Sequence, residues 1–134
     1  MYYVESITES AVTRMLELKN ESTGTVDLCF DDSAVVSDRN FEFMKQGNSY
    51  DCKIKLFGSI VKEKEERTVA CSIVNATVCI GNSEFSEVVV KDDIYYIPKE
   101  KILNILEQDT ILFKISRKDL IEVNDVIHED LLLK

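Results

Sequence analysis

The sequence predicts a mainly β protein: one small antiparallel β-barrel with an N-terminal hairpin and one short amphipathic helix near 99–107. Two observations lead there. Apolar and polar residues alternate at a period of two through several segments, as in strands with one wet face. The segments are separated by charged or Gly- and Asn-containing turns, and no repeat or Pro/Gly/Ser-rich linker divides the 134 residues. Residues 1–134 therefore read as a single domain. A chain of this size buries roughly 68% of its unfolded surface, enough for a true core.

The N-terminal region supports two readings. Ser6 and Glu9 have capping-box spacing, with Ala11, Val12, Met15 and Leu16 as a helix face. Alternatively MLELKN is a strand joined by ESTG to TVDLCF as a hairpin, which uses the Gly24 turn. The hairpin is preferred, and a short helix near 8–13 feeding it would satisfy both signals. In TVDLCF, Val26, Leu28 and Phe30 share one face and Asp27 and Cys29 the other. In YDCKIKLFGSIV, Tyr50, Cys52, Ile54 and Leu56 alternate with Asp51, Lys53 and Lys55 until Phe57 breaks the pattern and Gly58 marks a bulge or bend.

KEKEERT is a charged connection, and RTVACSIVNATVCIG is one long apolar strand or two, expected to be covered on both sides. FSEVVV and IYYI are strands set off by the GNS and KDD turns. Pro98 opens the helix near 99–107, whose Ile102, Leu103 and Leu106 have helical spacing. TILFKIS and DLIEVND read as two strands with a turn at Arg117-Lys118. The expected core is Phe30, Ile54, Leu56, Ile73, Val78, Leu103, Leu106, Phe113 and Ile115. The run Leu131-Leu132-Leu133 either docks back on the barrel or joins a dimer or partner interface.

From residue 48 the order is strand, strand, strand region, helix, strand, strand. With the long Gly-bent strand from Gly47 to Gly58, that order resembles the OB-fold, a Greek-key barrel of five strands. The resemblance implies a ligand face where aromatic residues stack single-stranded nucleic acid or a small molecule, and Tyr50, Tyr95 and Tyr96 are the candidates.

Charge points elsewhere. Sixteen Lys and Arg against 25 Asp and Glu give a formal charge of −9. Such a surface repels nucleic acid and anionic lipid at long range, so neither a nucleic acid nor a membrane is the expected partner. Two stretches hold acids and no Lys or Arg: Glu21 to Asp38, with Asp27, Asp31 and Asp32 between, and Asp119 to Asp130, with Glu122, Asp125 and Glu129 between. Asp31, Asp32, Glu122, Asp125, Glu129 and Asp130 are expected to reach solvent. The four cysteines (29, 52, 71 and 79) match no metal or CxxC spacing, and MYYVESITES lacks the features of a secretory signal. The expectation is a reduced, cytoplasmic protein, a monomer or weak dimer, without metal or cofactor.

The single histidine, His128, is expected to be solvated in its acidic segment. Asp31-Asp32 and Asp92-Asp93 are adjacent pairs, which on a strand point to opposite faces and so make no acid–base dyad. Nucleophile elbows, phosphate-binding glycine loops and HExxH are absent. These features predict a non-enzymatic acidic module that binds a basic protein, as immunity proteins and phosphate-imitating inhibitors bind nucleases or toxins. The alternative is an OB-like adaptor acting through exposed tyrosines. An enzyme would need a site that the sequence does not display.

Overall fold

The computed structural model describes residues 1–102 and 110–133. Its strands are β1 (Tyr2–Glu9), β2 (Arg14–Asn20), β3 (Val26–Asp31), β4 (Ser49–Tyr50), β5 (Cys52–Val61), β6 (Thr68–Ile80), β7 (Ser83–Val90), β8 (Asp93–Pro98), β9 (Thr110–Val123) and β10 (Val126–Ile127). A single helical turn, α1 (Ser33–Val36), follows β3, and 3-10 turns span Lys99–Lys101 and Glu129–Leu132. Ile102 is buried just after the first of these turns, and the rest of the helix expected near 99–107, with Leu103 and Leu106, lies outside the described residues.

Five strands close a barrel in the order β9-β5-β8-β7-β6 and back to β9. The sheet is mixed rather than purely antiparallel. A closed ring with an odd number of strands must contain a parallel neighbour, and here β5 and β8 supply it, with Lys55 opposite Tyr96. From β9 the sheet runs outward as β3, β2, β1 and β4, where Phe30 meets Asp119 in a second parallel contact. β9 is thus the strand common to the barrel and the N-terminal sheet.

The preferred hairpin is present as β2 and β3, with Gly24 at φ 81 in its loop. No helix forms near 8–13. β1 and β2 instead pair through a tight Ser10–Thr13 turn, closed by Ser10 N–H donating to the Thr13 carbonyl at 2.9 Å. The turn expected at Arg117-Lys118 is also absent. β9 runs straight through, and its extra residue Ser116 is absorbed where Phe57 pairs with Arg117 and Gly58 with Ile115. Gly58 is required for space, because a Cβ there would sit 1.9 Å from the Lys114 carbonyl oxygen.

β6 is not covered on both sides. Only Cys71 and Ile80 are buried in it, Ile73 and Val78 are half-buried, and Val74 is exposed. Two register shifts against β7 twist its middle away from the core. The main core gathers Val4, Leu16, Leu18, Phe41, Met44, Ile54, Leu56, Ile97 and Phe113 among others. A smaller cluster of Ile80, Phe85, Tyr96 and Ile121 is roofed by Leu131, and the Leu131 carbonyl accepts from Asn82 N–H at 2.6 Å. The leucine run therefore docks on the barrel, apart from exposed Leu133. Phe30 and Ile115 are only half-buried.

Candidate functional site

β3 alternates as expected, but in the opposite phase. Val26 and Leu28 face outward, 49% and 54% exposed, while Asp27, Cys29 and Asp31 point inward. Buried carboxylates persist only where partners replace water. Asp27 accepts from the Tyr95 hydroxyl at 2.6 Å and forms an ion pair with Lys118. Asp31 accepts from Arg14 Nη2 at 3.1 Å and from the Ser33 N–H and hydroxyl at 2.9 and 2.6 Å. Arg14 in turn donates to the carbonyls of Phe41 and Met44, at 2.5 and 3.3 Å. Among the described residues no buried side-chain nitrogen or oxygen lacks a partner.

Asp31 therefore does not reach solvent, contrary to its expected place on the acidic surface. Glu122 is largely covered and paired with Lys53 at 3.1 Å. Asp125 and Asp130 are exposed, and Asp32 and Glu129 are partly so. All three candidate tyrosines, Tyr50, Tyr95 and Tyr96, are buried. Tyr95 lies in the main core and Tyr96 under the leucine roof, so neither face of β8 offers a ring for stacking. Burial is the largest cause of the raised hydroxyl pKa values of Tyr95 and Tyr96, the latter pushed up to about 12.

His128 is 5% exposed, not solvated. Asn124 and Asp125, at φ 47 and 74, form a two-residue turn that folds β10 back on β9. That hairpin delivers His128 to α1. Its Nδ1 accepts from the Asp130 N–H at 3.1 Å, which leaves Nε2 as the protonated nitrogen, 2.6 Å from Asp32 Oδ1. Phe41 packs edge-on to the ring at 6.2 Å between centroids. Both ring nitrogens are thus engaged, and neither is free for general-base work. The same geometry bears on metal binding. Asp32, His128 and Asp130 bring ligand-type atoms within 4.8 Å of one another, but coordination through Nε2 requires the opposite tautomer. The group is a clamp between α1 and the 3-10 turn Glu129–Leu132. The cleft beside it holds about 120 Å³, below the usual size of small-molecule sites.

One further arrangement escaped the sequence reading. Arg117 lies between two phenylalanine rings, 4.5 Å from the centroid of Phe30 and 5.1 Å from that of Phe57, and its guanidinium forks onto Asp119 at 2.6 and 3.2 Å. The hydrogen bonds to Asp119 are the largest cause of its raised pKa. The expected turn at Arg117-Lys118 concealed this. Read as one strand, β9 would have placed Arg117 and Asp119 two residues apart on one face.

Among the described residues no helix is long and apolar enough to cross a membrane. No protein-family model, curated protein or solved structure matches the chain.

Proposed function

We propose that the chain is a non-enzymatic protein-binding module, a monomer or weak dimer in the cytoplasm, whose acidic corner receives a basic partner such as a toxin or nuclease. The observation that carries this reading is the hydrogen bond from His128 to Asp32, which draws the two cation-free stretches together. Asp32 comes from the first stretch, Glu129 and Asp130 from the second, and Asp125 heads the hairpin that leads to them. The binding set contracts to Asp32, Asp125, Glu129 and Asp130, since Asp31 and Glu122 serve internal ion pairs. A clamped acidic corner favours rapid, salt-sensitive association with a cationic surface.

Salt-gradient affinity capture tests it, using the parent chain beside an Asp32→Asn/Glu129→Gln/Asp130→Asn variant. Asn at 32 still accepts from His128, so the clamp is preserved. The parent should retain one basic protein that moderate salt releases, and the variant should retain at least about tenfold less. Equal retention by both would overturn the proposal. So would retention that persists in about 1 M salt, where charges are screened beyond about 3 Å.

A further inference from the structure

β5 follows β9 along nearly its whole length, but the opposite edge of β9 is shared. β6 pairs with residues Thr110 to Lys114 and β3 meets β9 at Asp119, so among the described residues Ser116, Arg117 and Lys118 have no ladder partner on that side. The interval opens into a groove of about 450 Å³, within the range of small-molecule sites. Its apolar lining comes from Met15, Leu28, Val69 and Ile115. Arg67, Arg117 and Lys118 supply its charge, and none of its described lining residues is acidic, in a chain with 25 Asp and Glu. Lys118 and Arg117 are committed to Asp27 and Asp119. Arg67 is exposed and has no carboxylate within ion-pair distance among the described residues. Its backbone is fixed at φ 63, and its carbonyl accepts from Ile115 N–H at 2.9 Å.

We propose that this groove binds a small amphipathic carboxylate, its head in the guanidinium fork of Arg67 and its apolar body over Leu28 and Val69. One uncommitted cation matches one negative charge. A doubly charged phosphate would meet Asp27 and Asp119 behind the other two cations. Burying Leu28 removes apolar surface that a monomer leaves in water at some cost. The groove shares Arg117 with the cleft beside His128, but its proposed head group, Arg67, is separate from the acidic corner, and binding there needs no protein partner.

Titration of the isotope-labelled chain by NMR, with decanoate and decyltrimethylammonium below their micellar concentrations and decanol below its solubility limit, compared at equal concentrations, tests the proposal without a partner present. Decanoate should shift the amides of Arg67, Val69, Ile115 and Arg117 saturably, with decanol at least about tenfold weaker and the ammonium compound without effect there. Arg67→Glu should abolish the decanoate response while leaving the melting temperature unchanged, and Leu28→Asp should weaken it. Three results would overturn the site: no saturable shift at millimolar decanoate, equal response to the ammonium compound, or shifts centred elsewhere.

Discussion

The carboxylates of β3 show how a residue's partners decide its position. Asp31 sits at 3% exposure because Arg14, Ser33 and the backbone of α1 replace its water. Removing one member of a buried pair leaves the other charge stranded, which costs about 3–5 kcal/mol. Asp31→Ala should therefore lower unfolding free energy by about that amount in a denaturant titration, and adding Arg14→Met should restore part of it. A loss under about 1 kcal/mol would mean that Arg14 relaxes to solvent. The alternation of β3 was legible in the sequence and its phase was not, because hydrophobicity alone places Val26 and Leu28 inside. Cys29 carried the missing signal: a residue type usually buried stood on the acidic face. His128 was misplaced because the carboxylate that replaces its water is remote in sequence: Asp32, 96 residues away, pairs with its ring, while its neighbour Asp130 supplies only a backbone N–H.

At the level of elements, strands were legible wherever local chemistry forced them. Gly58 signalled a bulge or bend and sits at a register shift, where the Lys114 carbonyl leaves no room for a side chain. The Gly24 loop joined β2 to β3 as its sequence implied. β6 misled because its apolar content says nothing of the register shifts that turn it outward. The β9–β10 turn is different again, built from Asn124 and Asp125 in the left-handed region, which these two residue types tolerate better than other side chains but less freely than glycine. Asp125→Gly should relieve the remaining strain and raise stability by about 0.5–1 kcal/mol, read as a higher melting temperature. Because the same turn delivers His128 to Asp32, a drop in melting temperature would show that the Asp125 side chain itself supports the clamp.

For the whole molecule, burial of thiols and phenols sets an upper pH limit. Burial pushes Cys71 up to about 11, Cys52 and Tyr96 to about 12, and raises Cys29, Tyr2 and Tyr95 as well. The unfolded chain releases these protons first, so their contribution is intact below the ordinary thiol value of 9.0 and is lost as pH rises toward 12. Urea midpoints should fall steadily over that interval, and a flat profile would contradict the burial of these groups. A small barrel of five strands was legible, but its purely antiparallel pairing was not: the two final strands that element order suggested are the single β9, and the parallel β5–β8 seam follows from the odd count. Closure also has a consequence in time. Since β9 touches β5, β6 and β3, a nascent chain emerging at roughly 5–20 residues per second exposes the open edges of β5 and β6 until residues 110–123 leave the ribosome. The ring cannot close during synthesis of its first four strands, and over that interval the unfinished sheet is most open to a chaperone or to a second unfinished copy.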